Sequence, residues 1–379
     1  MSTPTKTIDD TLGDVRRVQR LLAESDFDAV IAVSPDNVRY VGDVHISTQT
    51  SIRDRLALIV WPKGREPVFV LCLVEEGFVR AHSWIRDIRS YKEFVVKPMD
   101  LLADVLTELG LAQARVGCEL DYLAAIYADH LRARLPGLRL APCTDLFLRA
   151  RMYKTPRELA ILRHGYRATE KALMATYATV RVGETEKSMA NRLADALMHT
   201  GADLVAYLHI NTGANTGYPH MSPGDNVVRA GDIVKADVGA WYSEYITNVG
   251  RTAKVGKPTA EDLSYWTRLR DIHHRIIDMV RPGNTGRQLF AKAGELYAAA
   301  GLPFPYAHNG HGVGLLVHEH PLISPHDETP FEPGMVTTVE TRVRWVGKVG
   351  YHMEDLIEIT AGAPVVMSDA FDNERIFEI

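Results

Sequence analysis

Five side chains in the second half of the sequence have the chemistry of metal ligands. They are the carboxylates, amide and imidazole of Asp237, Asn248, His311, Glu340 and Glu354. Carboxylates together with an imidazole suit one or two hard or borderline divalent ions. Two neighbouring ions can share carboxylates and a bridging hydroxide, which is a nucleophile at neutral pH. The residue types and their order therefore predict a metal-binding hydrolytic site.

The predicted secondary structure explains how these side chains meet. Asp237 and Asn248 are eleven residues apart across the turn-rich "GAWYSE", so two adjacent antiparallel strands bring them to one pocket. His311 lies in the glycine-flanked "NGHGVGL", where the backbone can approach a crowded site. Glu340 and Glu354 lie on the last two predicted strands, "MVTTVETRVRWV" and "MEDLIEIT".

Length and composition indicate a globular protein with two domains. The chain has 379 residues, 46% hydrophobic content and a formal net charge of −5. The mild negative charge argues against a nucleic-acid partner, and no apolar run is long enough to cross a membrane. The polar N-terminus and three scattered cysteines predict a cytoplasmic location with reduced thiols.

The N-terminal part reads as alternating helices and strands. The predicted helices are Leu12–Glu24 and Leu101–Leu109, and the predicted strands are Ala29–Val33, Leu56–Trp61, Val68–Val74 and Arg115–Leu120. A boundary follows near residues 149–154. Together these elements predict an α/β domain.

The C-terminal part begins with a strong helix signal and continues with strands. Thr155 can cap a helix, Pro156 suits its first turn and Glu158 completes a capping box. A second helix begins after residue 185 and ends at Gly201, and a helical pair covers roughly 260–280 and 285–300. The other predicted strands are "VVRAGDIVKADVGAWY" and "EYITNVGRT", which lie between these two groups of helices.

The ligand motifs and their flanks resemble the pita-bread hydrolases, the group of methionine aminopeptidase, prolidase, aminopeptidase P and creatinase. The segment "NVRYVGD" (37–43) is similar to part of the creatinase/prolidase N-terminal domain. The resemblance implies an α/β N-terminal domain over 1–152 and an α+β pita-bread catalytic domain over 153–379. It also implies two pseudo-symmetric halves around the site and a homodimer.

The resemblance also implies a role for each matched position. By this resemblance Asp237 is a ligand of one ion, and His311 and Glu340 are ligands of the other. Glu354 bridges the two ions, and position 248 is normally an aspartate that also bridges them. Glu340 also shuttles a proton, His318 contacts the scissile amide, and His220 is a substrate-side histidine. The expected cofactor is one or two divalent ions of Mn, Co, Zn or Fe, although the substitution at 248 leaves one ion or none open.

Four positions depart from the peptidase pattern. Asn248 carries no charge and bridges metals poorly. Arg342 replaces a small residue and would place a cation near the pocket mouth, suited to a substrate carboxylate. His352 stands where relatives often have arginine, and Ala307 where prolidases often have histidine, with His308 one position later. Arg342 and His352 are therefore predicted to bind substrate.

Three functions remain open from the sequence. The first is a metal-dependent C–N hydrolase that cleaves a dipeptide or a residue before proline. The second is a hydrolase of a small non-peptide compound on the creatinase or ectoine-hydrolase pattern, with one ion or none. In that case His220 would be the base and Arg342 would bind a carboxylate. The third is a non-catalytic binding protein that has kept the fold.

Overall fold

A computed structural model describes residues 6–379, which divide into two compact units, one ending at Arg151 and the other spanning Met152–Ile379. The first unit contains one mixed sheet in the order β4-β3-β2-β1-β5-β6. Its strands are β1 Ala29–Ala32, β2 Leu58–Pro62, β3 Val68–Cys72, β4 Asp87–Tyr91, β5 Arg115–Cys118 and β6 Arg139–Pro142. Its helices are α1 Val15–Glu24, α2 Pro35–Gly42, α3 Ser47–Ser51, α4 Glu76–His82, α5 Pro98–Glu108, α6 Ala125–Arg134 and α7 Thr144–Met152.

The predicted α/β character of this unit is confirmed, with shifted boundaries. Helix α1 begins at Val15 because Asp14 caps it, accepting a hydrogen bond from the Arg17 backbone N–H. Strands β2 and β3, predicted as Leu56–Trp61 and Val68–Val74, pair antiparallel. The short helices α2, α3 and α4 were not predicted, because each is too short to show a clear helical period of apolar residues.

The "NVRYVGD" segment forms most of α2. Ser34 caps this helix, and Glu119 accepts hydrogen bonds from the Ser34 hydroxyl and from the Asn37 amide at 2.7 and 2.5 Å. The helix ends at Gly42 and is followed by Asp43, whose φ of 51° is left-handed. Glu119 directly follows strand β5, so these hydrogen bonds connect helix α2 to the sheet of its own unit.

The second unit is built from helix pairs and one large sheet. Its helices are α8 Pro156–Tyr177, α9 Glu186–His199, α10 Ala260–Ile277 and α11 Gly286–Ala299. The main strands run in the order β13-β14-β10-β8-β7. They are β7 Leu204–Thr212, β8 Ile233–Tyr242, β10 Val249–Lys254, β13 Val336–Trp345 and β14 Val349–Glu358. The short strands are β9 Tyr245–Ile246, β11 His311–Gly312, β12 Glu319–Leu322, β15 Val365–Val366 and β16 Phe377–Glu378.

The helix pairs repeat the same local design in each half. Both α8 and α10 begin with a capping box, Thr155 with Glu158 and Thr259 with Asp262. Both α9 and α11 begin after a capping threonine, Thr185 and Thr285. The expected α+β fold of this unit is confirmed. No helix in the described part of the chain has the length and apolarity required to cross a membrane.

A buried ion network fixes the reverse face of the central strands. Arg251 is fully buried, and its guanidinium is ion-paired with Glu170 and with Asp355, the latter at 2.6 Å. His273 contacts the other oxygen of Asp355 at 2.8 Å. Because Arg251 and Asp355 follow Gly250 and Glu354 directly, this network holds the residues of the opposite face in place.

Candidate active site

The cross-strand register places the predicted ligands on one face of the sheet. Gly250 of β10 is paired with Asp237 of β8 on one side and with Glu354 of β14 on the other. Glu340 of β13 is the direct partner of Glu354. Since side chains alternate along a strand, Asn248, two residues before Gly250, faces the same way. The expectation that Asp237 and Asn248 share a pocket is consistent with this register.

Asn248 is buried, and both ends of its amide have partners. Its Oδ1 accepts a hydrogen bond from the Tyr207 hydroxyl at 2.5 Å. Its Nδ2 donates to Glu354 Oε1 at 2.9 Å and lies 3.3 Å from His311 Nε2. The amide therefore presents donor hydrogens, rather than a metal-binding oxygen, to the ligand residues.

His311 is oriented for ligation. Its Nδ1 lies 3.1 Å from the Gly312 carbonyl, so Nδ1 carries the proton and Nε2 keeps its lone pair for a ligand or for the Asn248 amide. Nε2 lies 3.5 Å from Glu354 Oε1. Burial lowers the pKa of His311, which favours the neutral, ligand-competent form. Ligand atoms of His311, Glu340 and Glu354 all lie within 4.8 Å of one another.

The two glutamates have opposite electrostatic surroundings. Burial, followed by repulsion from Glu340 and Asp237, raises the pKa of Glu354 well above its usual range. Burial also opposes ionisation of Glu340, but Arg342 and His352 outweigh it and hold the pKa of Glu340 well below its usual value. A cation bound beside Glu354 would remove the repulsion and favour its ionised form.

Arg342, which was expected near the pocket mouth, is a buried side chain. Only 5% of the residue is accessible, and its guanidinium is ion-paired with Glu340 and donates to the His308 carbonyl at 3.1 Å. The guanidinium also lies over the Tyr306 ring, 4.4 Å from the centroid. The burial of Arg342 could not be predicted from the sequence, because it depends on how the residues around strand β13 pack.

His352 lies among the three carboxylates. Its Nε2 is 3.2 Å from Glu340 Oε1 and 3.7 Å from Glu354 Oε2, and its Nδ1 is 4.0 Å from Asp237 Oδ2. The residue is 4% exposed, and burial lowers its pKa. His352 therefore belongs to the same cluster as the candidate ligands.

The two remaining predicted histidines lie at the open side of this cluster. The ring of His318 is exposed and its centroid is 4.1 Å from that of His311. Desolvation by the surrounding residues and the neighbouring His311 lower the pKa of His318 to about 4. His220 is also exposed, with Nε2 3.9 Å from Asp237 Oδ2. The structure thus brings all nine predicted site residues, His220 and the eight from Asp237 to Glu354, into one region.

Sequence reasoning missed three aromatic side chains of the site. Tyr207 and His209 lie on β7, where His209 is paired with Asp237 and its ring is 5.2 Å from that of His220. Tyr306 supports Arg342 from outside any regular element. The alternating pattern "LVAYLHINT" was a readable strand signal for β7. No sequence signal identifies Tyr306.

The donor set fits one divalent ion. His311, Glu340 and Glu354 combine one imidazole with two carboxylates, a set suited to Mn, Co, Zn or Fe ions. Asp237 and Asn248, the expected ligands of a further ion, are not part of this group. Asn248 faces the group with its amide nitrogen, which disfavours a second ion at the same place.

Comparison with known proteins agrees with this architecture. The profile of metallopeptidase family M24 matches residues 160–361, and the creatinase/prolidase N-terminal domain matches residues 15–153. A probable dipeptidase PepE of Mycobacterium tuberculosis is 30% identical over 336 residues, 86% of each chain. An Xaa-Pro dipeptidase of Lactobacillus helveticus is 25% identical, over 91% of this chain and 93% of its own length.

Solved structures show the same fold. The dipeptidase PepE from Mycobacterium ulcerans superposes with a TM-score of 0.86 and 25% identity, covering 96% of this chain and 97% of that one. An Xaa-Pro dipeptidase from Bacillus anthracis has the same TM-score at 22% identity, covering 96% and 99%. With its two domains and its ligand cluster, the chain is a hydrolase of the creatinase/prolidase group and belongs to metallopeptidase family M24.

Proposed function

We propose that this chain hydrolyses the C–N bond of a dipeptide or short peptide in which proline follows the scissile bond. The observation that carries the proposal is the compact group of His311, Glu340 and Glu354, whose ligand atoms lie within 4.8 Å of one another. The names of the relatives support the substrate class, since several are Xaa-Pro dipeptidases. A divalent ion in this group would polarise the substrate carbonyl and activate water.

Each remaining residue has a proposed task. His318 is neutral near pH 7, given a pKa of about 4, so one ring nitrogen can donate a hydrogen bond to the developing oxyanion. Glu340 takes a proton from the attacking water and delivers it to the leaving nitrogen. His220, exposed beside Asp237, contacts the substrate from the opposite side.

Arg342 and His352 are proposed substrate contacts. The Nε of Arg342 is buried and has no hydrogen-bond partner among residues 6–379, so it is a spare donor for a substrate carboxylate. His352 lies beside Glu340 and Asp237 on the same face. Both side chains are held by the cluster, which would fix the orientation of a bound peptide.

A second candidate is hydrolysis of a small non-peptide compound with one ion or none. Asn248 and His352 favour it, because an amide and an imidazole occupy the cluster where peptidase relatives are expected to have an aspartate and an arginine. In this case a cationic substrate group would balance Asp237, Glu340 and Glu354.

Hydrolysis of Ala-Pro by metal-stripped and Mn²⁺-loaded protein separates the two candidates. Activity that is lost with a chelator and returns with Mn²⁺ would support the peptidase. If no Xaa-Pro dipeptide is cleaved with Mn²⁺, Co²⁺ or Zn²⁺ present, the peptidase proposal is wrong. Cleavage of a creatine- or ectoine-like compound that is insensitive to chelator would support the second candidate.

We also propose that residues 153–379 are the catalytic domain, that residues 1–152 are the N-terminal domain, and that two copies form a homodimer.

An apolar surface on the first unit supports the dimer. The exposed residues Leu73, Val74 and Phe78 follow β3, and Phe94, Val95 and Val96 follow β4. Since β3 and β4 are parallel neighbours, both groups lie at the same edge of the sheet. Phe94 is 97% exposed, which is typical of an interaction surface.

A cytoplasmic location is proposed from the cysteines. Cys72, Cys118 and Cys143 are all buried and unpaired. Burial raises the pKa of the Cys118 thiol to about 12, so this thiol stays protonated and unreactive. Unpaired buried thiols are typical of proteins kept in a reducing compartment.

A further inference from the structure

We infer that His352 and Asn248 together take the place of the second divalent ion, so that this pocket holds a single ion. The inference deepens the proposed function and rests on it for the identity of the pocket. It concerns residues in which this chain departs from the two-ion arrangement that its resemblance to peptidases implies. Its test counts ions and does not depend on activity.

The orientation of Asn248 is the first observation. A bridging ligand must offer oxygen lone pairs to both ions. Here Oδ1 accepts from the Tyr207 hydroxyl at 2.5 Å, and Nδ2 donates to Glu354 Oε1 at 2.9 Å. Turning the amide over would set its oxygen against a carboxylate oxygen of Glu354, which is repulsive. Asn248 thus supplies hydrogens to Glu354 at the position where relatives are expected to supply a negative charge.

The placement of His352 is the second observation. Its ring lies over Gly250, and a Cβ at position 250 would be 2.6 Å from His352 Cε1. The missing side chain therefore makes room for the imidazole between Asp237 and Glu354, the two cross-strand partners of Gly250. From there the ring nitrogens reach Glu340 at 3.2 Å, Glu354 at 3.7 Å and Asp237 at 4.0 Å.

The His352 imidazole, placed there, partly replaces a cation in offsetting the acidic side chains. It occupies the space between three acidic side chains and can donate a hydrogen bond to one of them. Arg342, ion-paired with Glu340, and Lys235, on the same face of β8, offset further negative charge. The cluster then has too little negative charge left to balance two divalent ions. One ion at His311, Glu340 and Glu354 remains compatible with the cluster.

Metal counting tests this inference. Purified protein is stripped with a chelator, dialysed against Mn²⁺ and analysed by elemental analysis and electron paramagnetic resonance. We expect about one ion per wild-type chain, with the hyperfine spectrum of an isolated Mn²⁺. Asn248→Asp/His352→Ala should hold about two ions with a spin-coupled spectrum, because the variant regains a bridging carboxylate and vacates the ring position. Each single variant should fall between these values.

The matched control is Asn191→Asp/His199→Ala, which makes the same chemical changes at exposed positions of α9 and should keep the wild-type count. Two coupled ions in the wild type would overturn the inference and leave the proposed peptidase standing. No ion in the wild type would overturn the metal-dependent function. A double variant that is folded by near-ultraviolet circular dichroism, yet gains no ion over the wild type, would overturn the inference.

Discussion

Glu340 and Glu354 are direct cross-strand partners in the middle of the β13–β14 pair. Like charges in this arrangement repel, and both residues are nearly or fully buried. Arg342 is ion-paired with Glu340, and its charge also lowers the pKa of Glu354 without overcoming burial and the repulsion from Glu340. A cation bound between Glu340 and Glu354 would relieve their repulsion. Metal binding should therefore raise the free energy of unfolding of this protein.

We expect Glu354→Gln to stabilise the metal-free protein while removing its response to metal. The substitution replaces a carboxyl group whose ionised form Glu340 repels with a neutral amide, a gain of roughly 1 kcal/mol in the free energy of unfolding. Thermal melts with chelator and with Mn²⁺ measure both effects. The wild type should melt higher with Mn²⁺, and the variant should not. Glu332→Gln, a change at an exposed residue, is the control and should behave as the wild type. If Mn²⁺ raises the melting temperature of Glu354→Gln as much as that of the wild type, Glu354 is not a metal ligand.

Substitution of His318 should abolish most activity without unfolding the protein. His318 is exposed beside His311, so His318→Ala removes a hydrogen-bond donor at the open side of the site with little loss of packing. Loss of such a group costs about 10²–10⁴-fold in turnover. The kcat for Ala-Pro measures the effect, with the exposed His326→Ala as control. Full activity would show that His318 has no part in the reaction.

Arg342 can be tested with paired substrates. If its Nε binds the substrate carboxylate, Arg342→Lys should raise KM for Ala-Pro by about tenfold or more and change KM for Ala-Pro amide little. Lysine keeps the charge near Glu340 but loses the planar, forked donor set. Equal effects on both substrates would assign Arg342 to the support of Glu340 alone.

The Lys254–Asp262 pair should make stability depend on acidity. Burial opposes ionisation of Asp262, but hydrogen bonds from Lys254, Tyr351 and Thr259 outweigh it and lower its pKa from 3.8 to about 2. The ionised form is thus favoured in the folded state, so its contribution is complete above the ordinary pKa and is lost as the pH falls towards 2. Asp262→Asn should cost about 2 kcal/mol near pH 7.

This cost should shrink as the pH falls below about 4. Urea unfolding at several pH values measures it, with Asp271→Asn on the exposed side of the same helix as the control. A cost that does not change with pH would mean that the charge of Asp262 contributes nothing and that only its hydrogen bonds matter.

Phe94→Glu tests the proposed dimer surface. Phe94 is 97% exposed, so a charge there should not disturb the folded unit, but it would be buried in any interface that covers this surface. We expect the wild type to sediment as a dimer and the variant as a monomer. Val346→Glu, at an exposed apolar residue of the second unit, is the control. A monomeric wild type would contradict the dimer, and a dimeric variant would place the interface elsewhere.

Much of the architecture follows from local sequence signals. The capping box at Thr155 and Glu158 forms as predicted, and α9 and α11 begin after their capping threonines. The strands that carry Glu340 and Glu354 lie close to their predicted positions. These features depend on hydrogen bonds and periodicity within a few residues, so the sequence alone is enough to predict them. Strand β7 was missed, and with it Tyr207 and His209.

The sequence by itself determined which ligand types this protein has and which family they indicate. Only the tertiary structure decided what the departures do: Asn248 turns its amide nitrogen to Glu354, Arg342 is buried against Glu340, and His352 lies among the carboxylates. These outcomes depend on cross-strand register, on the room left by Gly250 and on Tyr207, which is distant in sequence. A register shift of one residue would turn these side chains to the other face, so their meeting is a property of the assembled sheet.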